Sequence, residues 1–301
     1  MLAEAEAKLH SELRVGPVCL RTKDLDAMLS FYEGNFGLKV IQSDGDYTAL
    51  GTSATTEPII ILHHEANASS PPPNATGLYH YALLVPNRQS LAAAYLGLGS
   101  KGVIFDGYAD HQVSEALYLT DPEGNGIEIY SDRPRSEWKF DEAGVEMTTQ
   151  PLDLDSLIEE LPSERAEEFP AIAVGTRIGH IHLKVSDLQT AISFYRDALG
   201  FELMRYWGSA AFLSAGGYHH HVGLNTWETL GGPATRKEWI GLEYFAFAIP
   251  KTDLSELSTR LGVHPMIRDD NAARLFLSDP DDISLIFNAS DQRPDSLAAG
   301  T

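Results

Sequence analysis

His80, Glu128 and His180 are the residues of this chain whose types, taken together, could hold a metal ion. Two imidazoles and one carboxylate are the donor set of a mononuclear non-haem Fe(II) oxygenase, which leaves coordination positions open for other ligands. Each residue also has a plainer use. A strand histidine such as His80, within Tyr79-His80-Tyr81-Ala82-Leu83, is ordinarily a half-buried ring with its hydrogen bonds satisfied. Glu128 follows Asp121-Pro122-Glu123-Gly124-Asn125, which is ordinary turn chemistry. Its place between Ile127 and Ile129 is what singles it out, because an inward strand face needs a reason to bury a carboxylate. His180 has a competitor in His182, two residues on and therefore on the same face. Further imidazoles stand at His219-His220-His221, which as structure alone would alternate across a strand or form an exposed metal-binding tract. Tyr118 lies ten residues before Glu128, and Asp110-His111 lies upstream of it.

The elements that must position these groups show themselves as a repeat. Asp24-Leu25, Phe31-Tyr32 and Gly37 recur 163 positions later as Asp187-Leu188, Phe194-Tyr195 and Gly200. Each set follows an alternating apolar segment, Val15 to Arg21 or Ile178 to Val185. The pattern predicts a strand, an amphipathic helix and a glycine-led turn into the next strand. Tyr79 to Leu83 is echoed by Glu243-Tyr244-Phe245-Ala246-Phe247, and Asp121-Pro122 by Asp279-Pro280 before a last strand. The chain therefore reads as four βαβββ units, near 14–67, 77–132, 177–229 and 240–290. One such unit leaves its sheet half covered, so the units are expected to pair. Units one and two give a first domain at 14–132 and units three and four a second at 177–290. The polar, acidic stretch 133–176 between them, with a helical pattern around Leu152 to Leu161, is expected to be a crossover linker.

Composition sets outer bounds. At 301 residues and 43% hydrophobic content, the chain can bury a sizeable core. A formal charge of -21 argues against nucleic acid or an anionic membrane as partner and fits an acidic cytoplasmic protein. The single cysteine, Cys19, rules out an internal disulfide framework, and its apolar strand makes it a small core residue. No apolar run is long enough to suggest a membrane span. Met1 to Arg14 is charged, lacks a signal-peptide core and reads as a short helix.

With these motifs the chain resembles the vicinal-oxygen-chelate superfamily, which includes glyoxalases, fosfomycin and bleomycin resistance proteins, and extradiol ring-cleaving dioxygenases. The resemblance covers all but the linker and termini. It implies an α+β fold in which βαβββ units pair into two cups, each an incomplete eight-stranded barrel. Ligands in that superfamily come from the first and last strands of paired units. Those positions fall on Pro17 and Ile61, His80 and Glu128, His180 and a site near Val222, and Tyr244 and Ile286. Only units two and three carry donors. The seven-residue step from His180 to Asp187 matches the superfamily's ligand spacing and favours His180 over His182. Units two and three are thus predicted to pair around the metal, and one with four, within a chain or across a homodimer. The better-known extradiol enzymes instead build their site from units three and four.

Asp110 to Trp138 and Ile178 to Trp227 look like the Bacillus type of catechol 2,3-dioxygenase. This implies Fe(II), with Mn(II) accepted by the same ligands, and a catechol-type substrate cleaved with O2 to a ring-opened semialdehyde. His220 takes the acid–base position, with His219 the near alternative; an imidazole titrating near working pH suits that task. Tyr118 matches a substrate-facing tyrosine, and His111 a second pocket histidine at shorter spacing. Two other functions share the fold: a metal-dependent glyoxalase-type isomerase or lyase, and a metal-free binding or resistance protein. The preferred catechol or hydroquinone is open, and the aromatic candidates Tyr218, Trp227 and Tyr244 have no assigned place.

Overall fold

A computed structural model of the chain describes residues 8–53, 57–161, 172–267 and 273–290. Unit one comprises β1 (Arg14–Thr22), α1 (Leu25–Leu29), β2 (Lys39–Asp44), β3 (Tyr47–Gly51) and β4 (Ile60–His64). Unit two comprises β5 (Gly77–Leu84), α2 (Arg88–Ser100), β6 (Gly107–Asp110), β7 (Ser114–Thr120) and β8 (Gly126–Asp132). A two-stranded ribbon, β9 (Phe140–Asp141) and β10 (Gly144–Val145), and the short α3 (Leu154–Ile158) follow. Unit three holds β11 (Arg177–Lys184), α4 (Leu188–Ile192), β12 (Glu202–Trp207), β13 (Ala210–Ser214) and β14 (Val222–Asn225). Unit four holds β15 (Gly241–Pro250), α5 (Lys251–Leu261), β16 (Met266–Ile267), β17 (Ala273–Ser278) and β18 (Ser284–Ser290).

The repeated motif residues have identifiable jobs. Asp24 and Asp187 cap α1 and α4, their carboxylates accepting from the N–H groups of Ala27 (3.0 Å) and Thr190 (2.7 Å). Both helices widen into a π-turn, Ser30–Asn35 and Ser193–Ala198, which buries Tyr32 and Tyr195 completely. Gly37 and Gly200 then turn the chain with positive φ, where a side chain would be strained. The expected N-terminal helix is not borne out where the chain is described. Residues 1–7 lie outside the described part, and 8–13 form a turn closed by Leu13 N–H to His10 C=O. This segment packs Leu9 and Leu13 into the core, an arrangement that needs no helix.

The strands form two eight-stranded mixed sheets, ordered β12-β13-β14-β11-β5-β8-β7-β6 and β16-β17-β18-β15-β1-β4-β3-β2. Units two and three therefore share one sheet and units one and four the other, as the ligand distribution requires. Each sheet is centred on an antiparallel pair of first strands, β5 with β11 or β1 with β15. The apolar core gathers Val18, Leu20, Tyr81, Leu83, Ile181 and Phe245 from both sheets. Period-two alternation then sends His80 and Ala82, the neighbours of Tyr81 and Leu83, to the opposite face. No helix of the described residues is long and apolar enough to cross a membrane.

Candidate metal centre

Strand register assembles the site. In β5, Ala82 stands beside Glu128 of the parallel strand β8 and opposite His180 of the antiparallel strand β11. Glu128, Ala82 and His180 thus make one row across three strands, and His80 sits two residues along on Ala82's face. The methyl group of Ala82, fully buried, takes little space in this row. Beside it, Gly179 lets the chain approach Tyr130, whose hydroxyl occupies the place a Cβ would take.

All three donors are buried, at 6% exposure for His80, 3% for Glu128 and 1% for His180. One ligand atom from each lies within 4.8 Å of the others. Glu128 Oε2 is 3.0 Å from Nε2 of both His80 and His180. Burial works against ionisation of Glu128, but His180 and then His80 outweigh it and hold the carboxyl well below its usual range. Burial pushes His180 down to about 4, against the attraction of Glu128. Glu128 is thus a carboxylate facing a His180 imidazole that is neutral near pH 7, the protonation states in which both bind a metal. His80 Nε2 approaches the carboxylate yet makes no hydrogen bond, so it remains a buried, unsatisfied nitrogen. A divalent cation would satisfy it and both its neighbours, so the residues present fit such an ion.

The three donors stand at a cavity of about 260 Å³, bordered by His80 and Glu128. His182 shares the face as expected, but its Nε2 takes the Asn225 amide at 3.1 Å and lies outside the ligand cluster. His220 reaches the cavity from the turn between β13 and β14, its ring 4.1 Å from that of His180. Its Nδ1 is 2.8 Å from His219 Nδ1, and His219 Nε2 is 2.9 Å from Asp132. His219 therefore lies behind His220 and not beside the cavity. The expectation of a near-neutral titration at His220 does not hold. Burial, with His180 alongside, holds its imidazole well below the ordinary histidine range. The third ring of the run, His221, is bound at Nδ1 by Ser214 and the Ala215 N–H.

On β7, the strand next to β8, Tyr118 pairs with Glu128. The Tyr118 hydroxyl is 2.7 Å from His111 Nε2, while His111 Nδ1 is 2.6 Å from the Thr148 carbonyl. A carbonyl only accepts, so His111 donates from Nδ1 and its Nε2 accepts the tyrosine proton. Burial, then the nearby Glu128 charge, pushes the Tyr118 hydroxyl well above its usual range, which keeps it a donor. Gln112, with φ of 68°, turns the chain sharply beside His111.

Other contributors were missed by sequence reasoning. The stretch read as a linker crosses the cup from one edge to the other. Gln150 exchanges two backbone hydrogen bonds with Asp110 of β6. Trp138, Val145 and Met147 pack with Val113, Ala210 and Phe212 in a small separate core. Met147 and Thr149 consequently line the cavity. Their signal was the apolar spacing of Trp138, Val145 and Met147 within an acidic segment. Trp207, Phe212 and Tyr79 also line it, as does Trp227. Tyr218 is bonded to Asp132 and Tyr130 behind the cavity, and Tyr244 belongs to the other sheet beside Cys19.

A fold of paired βαβββ units with ligands on first and last strands defines a class, and comparison with known proteins agrees. Residues 14–129 and 177–297 match the model of the Glyoxalase/Bleomycin resistance protein/Dioxygenase superfamily, and the chain belongs to that family. It is 40% identical over 252 residues to the catechol-2,3-dioxygenase of Bacillus subtilis (strain 168), covering 83% of this chain and 87% of that one. A shorter match of 29% over 127 residues links it to biphenyl-2,3-diol 1,2-dioxygenase 3 of Rhodococcus globerulus, covering 40% of this chain and 63% of that one. Among solved structures, glyoxalase I from Zea mays superposes with a TM-score of 0.53 at 17% identity, covering 92% of each chain. That likeness concerns the fold alone.

Proposed function

We propose that this chain is an extradiol ring-cleaving dioxygenase, which inserts both atoms of O2 into a catechol-type substrate and yields a ring-opened semialdehyde. The observation that carries the reading is the buried cluster of two imidazoles and one carboxylate at the cavity. The similarity to the Bacillus subtilis catechol-2,3-dioxygenase over most of the chain supports it. His80, Glu128 and His180 hold Fe(II), and the same donors accept Mn(II). When bound, the metal supplies a Lewis acid for the diol and a redox path between ring and dioxygen.

The chain's own groups do the rest. Tyr118, kept protonated, turns its single O–H from His111 Nε2 to a diol oxygen when substrate enters. His220, held by His219 through Nδ1, presents its other nitrogen to the cavity as a neutral base that accepts the diol proton and returns it on ring opening. The apolar wall from Met147, Phe212 and Trp227 excludes water from the reacting ring. The site is complete within one chain, so activity needs no exchange of units between subunits. The setting we propose is the cytoplasm, in keeping with one buried cysteine.

Oxygen uptake on adding catechol to anaerobically Fe(II)-loaded protein, with a yellow ring-opened product, is the expected result. Oxygen-independent turnover of a hemithioacetal with no oxygen uptake would overturn the reading in favour of isomerase chemistry.

A further inference from the structure

The segment that crosses the cup joins its two open rims. The sheet holding the metal site ends in β12 on one side and β6 on the other. Near β12 the segment is firmly anchored. Arg205 donates to Asp141 at 2.6 Å, Gly144 lies directly against the Met204 carbonyl, and Val145 and Met147 sit in the small core with Trp138. Past the β6 rim it is anchored again, with Leu157 fully buried and Arg88 donating to the Ser156 carbonyl at 3.0 Å. Between these anchors, residues 148–150 are tied to the rim through their backbone. Gln150 exchanges two bonds with Asp110, and the Thr148 N–H reaches the His111 carbonyl at 3.4 Å. Thr149 and Gln150 are exposed. The Thr148 hydroxyl is buried yet finds no partner among the described residues, a cost that lifting the segment into water would relieve.

We propose that residues 148–150 are a strap that lifts from the β6 rim to pass diol and product, and whose return seats His111 in the cavity wall for turnover. The inference rests on the dioxygenase reading for what passes, and on the rim geometry alone for the movement. The Thr148 carbonyl takes the bond from His111 Nδ1 at 2.6 Å, and the same ring meets the Tyr118 hydroxyl through Nε2 at 2.7 Å. Lifting the strap therefore frees His111 from the bond that orients it and withdraws Thr149 from the cavity lining. Closing restores both in one movement. A backbone ladder suits this task, because it parts without exposing apolar surface and re-forms in register beside the anchored Met147. Segments with few buried apolar contacts and hydrogen bonds close to solvent open at low free energy. Such movements commonly limit turnover.

The test is a covalent tether across the rim. Asp110→Cys with Gln150→Cys puts two thiols on bridge partners, a spacing suited to a disulfide. Cys19 is buried and stays out of the exchange. Comparing the oxidised and reduced forms of this one variant, loaded with Fe(II), separates the tether from the substitutions. With catechol, kcat by oxygen uptake is expected to fall about 10-fold on oxidation and to return on reduction, at unchanged iron content. Hydrogen exchange across 148–150, read by mass spectrometry without any diol, is expected to be about 10-fold slower in the oxidised form. Gln150→Pro acts in the opposite sense without altering the sheet, since it deletes the N–H donated to Asp110. Exchange at Thr148 should quicken in it by about 10-fold. Equal kcat in the two redox forms would overturn the proposal, and so would exchange that neither the tether nor Gln150→Pro moves. Absence of oxygen uptake in every form would count against the dioxygenase reading alone, because the exchange rates still decide whether the strap opens.

Discussion

At the scale of single residues, the site depends on groups that burial forces into one another's company. Glu128→Gln keeps the shape of the side chain but removes the charge that opposes two buried imidazoles. Its iron content after anaerobic loading should fall by more than the about 10–100-fold typical of losing a group that only supports a ligand. Ala82→Val tests the row itself. The added methyls meet a fully buried position between Glu128 and His180, at a cost of about 1–3 kcal/mol, and iron binding should be lost with the folded strand intact. Tyr118→Phe separates chemistry from binding. Iron is retained, and kcat should drop by about 100-fold because one donor to the reacting oxygens is gone. Unchanged kcat in that variant would remove Tyr118 from the mechanism. His80, Glu128 and His180 were legible in the sequence because carboxylate and imidazole stood out against apolar alternation. The low proton affinity of His220 was not legible, because it arises from burial against His180 and Phe212, residues remote in sequence.

At the scale of elements, the repeat was readable because caps, turn glycines and apolar periods are local. Asp24 and Asp187 cap the helices where the pattern placed their starts. What local pattern could not reveal was the path of the 133–176 segment. Its hold on the cup comes from backbone bonds between Gln150 and Asp110 and from a tryptophan seated on another unit. Close strand approach is equally invisible in one dimension. Gly179 in β11 yields its side-chain space to the hydroxyl of Tyr130, two strands away. Gly179→Ala should therefore destabilise the protein by about 1–3 kcal/mol in urea unfolding. Adding Tyr130→Phe should recover part of that loss, since the hydroxyl is what the new methyl meets. Additive destabilisation in the double variant would show that the close approach carries no energy.

At the scale of the whole molecule, the two sheets are tied by the same repeated motifs that betrayed the units. Tyr32, on the unit-one helix, bonds Asp121 of unit two at 2.9 Å, and Tyr195 of unit three bonds Asp279 of unit four at 3.2 Å. Each bond runs from a unit of one sheet to a unit of the other. Burial raises the Asp279 carboxyl from 3.8 to about 7. The folded protein therefore holds this proton more tightly than the unfolded chain does. Its contribution to stability is fully present below about pH 4 and is lost as pH rises through 7. Asp279→Asn should remove that slope, so the Tm difference between variant and parent should change steadily from pH 4 to 7; a constant difference would reject the assignment. The pairing of units also has a consequence for synthesis. The middle of the chain completes its own sheet once β14 has left the ribosome, whereas β1 needs β15, its partner from Arg14 opposite Ala248. The first strand made thus waits longest for its central neighbour, with its edge bare meanwhile. Translation pauses or early stop codons after unit three would leave a formed metal cup attached to an unpaired, aggregation-prone sheet.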